Sequence, residues 1–188
     1  MEIVIIISII VVILGIISLV VVTTCDKFRE NIIRLNEAEA SIDAALNKRF
    51  DLLKKSVEFI DKEVNKGKTA EEEKIKVMHT IAEIRSKNLS KFEFDTSLYD
   101  AIDEFKNYSD DHIELKKNND FVKIEVNLIE SESEIVALKK YYNDISKEYN
   151  SLVSKFPANI IAFFKKYKKK EYFSERETKK NILDELKA

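Results

Sequence analysis

The chain is short of the residues that build turns: glycine occurs only at Gly15 and Gly67, and proline only at Pro157. Sheets and Rossmann-type loops need turn glycines, so the scarcity predicts an all-helical fold. Cys25 is the single cysteine, which excludes an internal disulfide. An excess of one charge is also missing. Lys and Arg number 32 and Asp and Glu 34, interspersed, for a net charge of −2, so no nucleic-acid partner is expected. The sequence contains no HExxH, no GxxxxGKS/T, no GxGxxG and no GxSxG. Histidine occurs only at His79 and His112, and Glu83 near His79 stands alone, whereas a metal site needs several convergent ligands. The Glu-x-x-His pairs of a di-iron bundle are absent too. Glu37, Glu39, Asp43, Glu130, Glu132 and Glu134 fall off the apolar seams and read as solvated faces. No catalytic, cofactor-binding or metal-binding residue is therefore assigned.

What the chain does have is one long apolar run. Ile3 to Val22 carries no charge, and only Ser8, Gly15 and Ser18 interrupt its Ile, Val and Leu. As a helix it spans roughly 30 Å, the thickness of a hydrocarbon core. It lacks the basic n-region of a cleaved signal peptide, and no small-residue cleavage site follows. Val22-Thr23-Thr24 before Cys25 is not the pattern of a lipoprotein signal either. The run is expected to be an uncleaved signal anchor of a single-pass protein of the cell membrane. Lys27, Arg29 and Arg34 follow it and no Lys or Arg precedes it, so the N-terminus is expected outside and the remainder in the cytoplasm. Gly15 and Ser18 are too few to argue a helix dimer, which leaves anchoring as the expected role. Cys25 is expected to be an inert juxtamembrane residue.

Beyond the anchor, apolar positions step by three or four. Phe28, Ile32, Leu35, Ala38, Ile42, Leu46, Phe50, Leu53, Val57, Ile60 and Val64 predict a helix over 28–66 with one inward stripe. No proline or glycine lies between Gly15 and Gly67, so this helix is expected to continue from the anchor without a break. Gly67 is its expected stop, and Thr69 with Glu72 reads as a capping box. A second helix over 70–91 would turn Ile75, Met78, Ala82, Leu89 and Phe92 inward. Residues 92–97 then interrupt the pattern. If they turn, Thr96 or Ser97 caps a third helix burying Leu98, Ile102 and Phe105, and the chain makes four up-and-down legs; if they only kink, it makes three. Six residues with capping chemistry favour the turn. The last helix carries the clearest seam: Phe121, Ile124, Leu128, Ser131, Ile135, Leu138, Tyr142, Ile145, Tyr149, Leu152 and Phe156. Asn118 or Asn119 can cap its start, and Pro157 marks its end. Such seams joined by short connections predict an antiparallel helical bundle.

After Pro157 comes a short apolar patch, Asn159 to Phe164, followed by Lys165, Lys166, Lys168, Lys169 and Lys170, then Tyr172 and Phe173. Three readings stand side by side. The patch closes the open end of the bundle, leaving the lysines solvated; or it joins them in contact with anionic lipid, to which each lysine contributes roughly 1 kcal/mol; or the segment binds a partner. Residues 174–188 read as a charged, flexible tail.

Two stretches carry a resemblance. One runs from Leu115-Lys116 through Asn119 and Phe121 to Tyr142-Asn143, Tyr149-Asn150 and Phe156-Pro157-x-Asn159-Ile160-Ile161-Ala162; the other is Ile42-Asp43-x-x-Leu46-x-x-Arg49-x-Asp51-Leu52-Leu53-x-x-x-Val57. In these the chain resembles the LemA family of bacterial membrane-anchored helical proteins, as a divergent member. It lacks a Trp before Ile42-Asp43, has Lys54 where the family has proline, and lacks both a His-Glu pair and a Tyr-Pro before Leu115. The resemblance implies an up-and-down antiparallel bundle behind one transmembrane helix, and it brings no reaction with it. Tyr142 and Tyr149 lie on the seam; Asn143 and Asn150 lie one step off it, placed to bond across helices, and Arg49 and Asp51 are each placed to pair with another helix.

The expected organisation is an anchor over 1–25, a bundle over 26–173 and a tail over 174–188. The expected function is a non-enzymatic scaffold or protein-interaction module at the membrane. One alternative is a signalling or envelope-stress component whose C-terminal segment contacts lipid; another, from a different class, is an enzyme with a carboxylate site.

Overall fold

The computed structural model describes residues 1–64, 82, 84, 89–113 and 115–173, the side chains of 61–64 excepted. The fold is an all-α helical bundle. Helix α1 spans Glu2–Val64, α2 Lys91–Asp111 and α3 Asn119–Ser154; a short α4 covers Ala158–Lys165, and a 3₁₀ turn lies at Leu115–Lys117. The apolar run and the amphipathic stripe thus form one helix. Gly15 costs only about 1 kcal/mol against alanine inside a helix, too little to break one so well flanked. Side chains along Ile3–Val22 are almost all exposed, whereas Phe28, Leu35, Ile42, Leu46 and Leu53 are buried. The leading part of α1 is long and apolar enough to cross a membrane.

The chain divides into two compact units, one of residues 40–138 and one of 1–39 with 139–188, and both α1 and α3 contribute to each. In the 40–138 unit, Lys91 lies 3.9 Å from Asp43 and Phe94 faces Phe50, while Phe105 and Phe59 both meet Phe121. Helix α2 therefore runs parallel to its stretch of α1 and antiparallel to α3; most of the expected second leg, 70–91, lies outside the described residues. Leu46, Leu53, Leu98, Ile102, Phe105, Phe121, Leu128 and Ile135 are all at most 2% exposed. Each such burial contributes about 1.5–3 kcal/mol, which far outweighs local propensity.

Several expectations need correction. Residues 92–97 are helical, and the break falls just before them. Ser90 is the N-cap of α2, and its hydroxyl and Glu93 complete a capping box: the Ser90 N–H donates to Glu93 Oε2 at 2.9 Å and the Glu93 N–H to Ser90 Oγ at 3.4 Å. Thr96, read as a cap, instead bonds back to the Phe92 carbonyl within the helix. The Ser-x-x-Glu pattern at 90–93 is itself a capping signature, but Phe92 inside it and Phe94 just after it blur the apolar spacing that would mark a helix start. Leu89, placed inside the second helix, precedes the cap. Ala82 is exposed and Ile84 is buried instead. Gly67, Thr69, Glu72, Ile75 and Met78 lie outside the described residues.

The stripes are also broader than one seam. Ile32 and Phe50 are half-buried, and the residues just before them, Asn31 and Arg49, face inward. A stripe spaced by alternating threes and fours drifts against the 3.6-residue turn, so over many turns the buried position moves. On α3, Ile124, Leu138 and Leu152 are only half-buried, and Phe156 is 81% exposed. Pro157 supplies no N–H and disfavours helical geometry in the residue before it, so α3 ends at Ser154 and Phe156 leaves the helical face. The start of α3 is as expected: Asn118 Oδ1 accepts the Asp120 N–H at 2.9 Å.

Candidate functional site

The paired Tyr-Asn residues of α3 build the most specific arrangement in the unit of residues 1–39 and 139–188. Asn143 and Asn150 are seven residues apart, so their side chains leave one face of α3 about 10.5 Å apart. Three residues of extended chain cover roughly the same distance. The irregular segment 167–173 uses this match. Asn143 donates from Nδ2 to the Phe173 carbonyl and accepts the Phe173 N–H, each at 2.9 Å. Asn150 donates to the Lys170 carbonyl at 2.9 Å and accepts the Lys170 N–H at 2.7 Å; a further bond joins it to the Tyr172 hydroxyl at 3.0 Å. An amide carries a donor and an acceptor side by side, as a peptide does, so each asparagine pairs with the backbone of one residue.

The asparagines thus bond to the chain's own C-terminal segment and not to another helix. Helical neighbours have no free backbone groups to offer, whereas an irregular segment must find partners for its N–H and C=O. The tyrosines support the same contact. Tyr142 meets Phe173 edge-on with centroids 5.1 Å apart, and Tyr149 and Phe28 both pack on Tyr167. Burial raises the pKa of the Tyr142 and Tyr149 phenols above the ordinary value; the Glu39 carboxylate adds to the rise at Tyr142 and Tyr167 to that at Tyr149. Lys170 closes the arrangement with an ion pair to Glu39 at 3.0 Å.

Between the end of α3 and the first clasped residue, Lys170, lies a projecting lip of residues 155–169. Helix α4 buries Ala158 and Ala162, which are one turn apart, against the unit. The opposite side carries Phe163 and Phe164, 80% and 78% exposed, and Phe156, just before α4 in the chain, is 81% exposed. Lys166 ends α4 in the left-handed conformation at φ 57°, and its N–H reaches back to the carbonyls of Ala162 and Phe163. Lys165, Lys166, Lys168 and Lys169 are exposed. The patch therefore does not close the bundle, because its phenylalanines point outward. Lys170 and Phe173 part company with the others: one is paired to Glu39 and the other is 2% exposed.

A second constellation lies in the 40–138 unit. Arg49 Nη2 of α1 and Glu132 Oε2 of α3 are 3.2 Å apart with side chains 5% and 6% exposed, and Lys106 of α2 reaches the same oxygen at 3.2 Å. Glu132, read as a solvated acid, is thus the junction of three helices. Desolvation lowers the pKa of Arg49, and Glu132 and Asp95 oppose it. Asp51 is exposed. His112 stacks on Tyr108 at 4.2 Å, and His79 lies outside the described residues. Among the described residues no group of three or more His, Cys, Asp or Glu side chains converges as a metal site.

These features define a class: an all-α bundle led by an apolar helix, with Tyr-Asn pairs on its last long helix clasping the segment that follows. Residues 38–184 match the LemA family, and the chain belongs to it. No curated protein matches the chain.

Proposed function

We propose that the protein is a single-pass, membrane-anchored bundle of the LemA type that works without catalysis, as a scaffold or protein-interaction module on the cytoplasmic side. One observation carries this reading. Helix α1 runs without a break from the exposed apolar stretch Ile3–Val22 into the buried stripe that begins at Phe28. An exposed apolar face of that length is stable in lipid and not in water. The described side chains offer packing devices and a projecting lip, and a scaffold needs no more than these. Alkaline extraction of membranes tests the anchor: the full chain should stay with the lipid, and release into the wash would refute it. A reporter at the C-terminus tests the side, and proximity labelling in the native cell identifies partners. Stoichiometric iron or zinc in the purified protein would replace the scaffold reading with an enzyme built on carboxylates. The second reading, a signalling or envelope-stress component that contacts anionic lipid through its C-terminal segment, is favoured by the exposure of Phe156, Phe163 and Phe164.

A further inference from the structure

The geometry points to a second membrane contact, made by the lip of residues 155–169 on the leaflet that α1 leaves. Phe156, Phe163 and Phe164 enter the boundary between headgroups and acyl chains, and Lys165, Lys166, Lys168 and Lys169 bind headgroup phosphates of anionic lipid. The inference rests on α1 being a membrane anchor.

Register places the lip at the right height. Tyr149 of α3 packs edge-on against Phe28 of α1, centroids 5.9 Å apart. Arg34 of α1 reaches both Glu148 and Tyr141 of α3, so here the two helices run antiparallel. From Tyr149 to its end at Ser154, α3 advances about 7.5 Å toward the apolar stretch of α1. That brings the start of the lip level with Thr23, one residue past the apolar run. Thr24 is buried at 8% exposure, and most of the apolar side chains before it stand open. The lip therefore projects where the lipid begins.

Its chemistry fits that position. Phenylalanines this exposed are unfavourable in water, and α4 is seated through its buried alanines, Ala158 and Ala162. Aromatic side chains flanked by lysines are what an interfacial segment presents to an anionic surface. The asparagine clasp fixes the exit of the lip at Lys170, so its phenylalanines and lysines are presented together and not on a free tail. Glu39 neutralises Lys170. The exposed lysines of the lip have no such carboxylate among the ion pairs of the described residues.

The chain contains no tryptophan, so a single introduced one reports its own surroundings. Full-length Phe163→Trp is reconstituted in vesicles of phosphatidylglycerol and phosphatidylcholine, with Ile13→Trp as a parallel sample. Ile13→Trp should be quenched by lipids brominated deep in the acyl chain. Phe163→Trp should show blue-shifted emission and quenching by a label near the headgroup, and both should weaken in pure phosphatidylcholine or at high salt. Water-like emission from Phe163→Trp beside a quenched Ile13→Trp would overturn the lip and leave the anchor standing. An unquenched Ile13→Trp would remove the anchor and the inference with it. A blue shift that grows with protein density at constant lipid would mean that a second copy covers the phenylalanines, which also overturns the proposal. Changing Lys165, Lys166, Lys168 and Lys169 together to Gln should abolish the preference for phosphatidylglycerol; an unchanged preference would refute the role of the lysines.

Discussion

Replacing Asn150 with alanine should open the segment 167–173 and leave the helices closed. The substitution deletes three hydrogen bonds, at 2.7 Å to the Lys170 N–H, 2.9 Å to the Lys170 carbonyl and 3.0 Å to the Tyr172 hydroxyl. At about 1 kcal/mol net for each, some 3 kcal/mol of local closing free energy is lost. At tenfold per 1.4 kcal/mol, the opening constant of the segment rises on the order of 100-fold. Asn143→Ala deletes two bonds, both at 2.9 Å to Phe173, so about 2 kcal/mol and roughly 30-fold. Asn150→Asp keeps an acceptor for the Lys170 N–H but sets a second oxygen against the Lys170 carbonyl, so it should open the segment as far as alanine does. Hydrogen exchange on the full chain in lipid reads this directly, because the Lys170 and Phe173 amides donate to these side chains. Exchange should accelerate at Lys170 in Asn150→Ala and at Phe173 in Asn143→Ala, with α3 amides near Ile145 still protected. Unchanged exchange at Lys170 would refute the clasp. Equal acceleration along α3 would refute its local character, because the asparagines would then be holding the bundle and not the segment.

Further outcomes follow from the packing. Glu132→Ala leaves Arg49 buried without its partner and should destabilise by about 3–5 kcal/mol, whereas Arg49→Met with Glu132→Leu should be close to neutral; thermal unfolding of the two in detergent separates them. Lys166→Gly relieves a left-handed residue and should stabilise by up to about 1 kcal/mol in the same assay. The Ser90 N–H and hydroxyl hold the Glu93 carboxyl below its ordinary value. That stabilisation is therefore present above the ordinary glutamate pKa of about 4.3 and is lost as pH falls through the lowered value. Unfolding of wild type and Glu93→Gln across pH 2–7 should show a gap at neutral pH that closes only on the acid side of the ordinary value. The raised Tyr142 phenol acts in the opposite sense: its contribution is full below about pH 10 and declines as pH climbs through the raised value, and Tyr142→Phe should flatten that alkaline decline.

The helical class, the continuity of α1 and the seam of α3 were legible because they depend on residues that act everywhere alike. Few glycines and prolines leave the backbone nothing to do but coil, and a periodic apolar face must be buried. What was not legible depends on geometry between elements. Glu132 follows a seam serine and has acidic neighbours two residues to either side, Glu130 and Glu134. Only the folded bundle brings Arg49 and Lys106 to it. Phe156 continues the three-and-four spacing of α3, and a pattern of hydrophobicity cannot register that the helix has already ended. The outward face of the lip was not legible for a related reason. An apolar stretch beside an open bundle end looks like its lid, but α4 needs only Ala158 and Ala162 to seat itself, and small inward residues carry almost no hydropathy signal.

The seven-residue spacing of the Tyr-Asn pairs holds the sharpest ambiguity. On a helix, a heptad of large residues normally means a helical partner, because two turns bring equivalent positions onto the same seam. Tyr142 and Tyr149 satisfy that reading, both being buried. The asparagines beside them obey the same period for a different reason: two turns of helix and three residues of extended chain cover nearly equal lengths. A helix can therefore hold an irregular segment in register with side-chain amides, provided the amides recur every seventh residue and the segment offers its backbone at every third. The two partners then differ in what they demand. A helical partner needs apolar positions in return, which the segment would show as period. A clasped segment needs only free N–H and C=O groups, which every residue but proline supplies. The demand leaves no trace in residues 167–173, so the clasp is recorded on α3 alone. A Tyr-Asn pair repeated at seven on an amphipathic helix, followed by a short connection and a lysine-rich stretch without periodicity, is accordingly a sign of a clasped segment. Moving Asn150 by one residue along α3, as Asn150→Ser with Ser151→Asn, would keep the composition and abolish the register. Exchange at the Lys170 amide should then match that of Asn150→Ala, and protection retained at the wild-type level would show that the spacing is incidental.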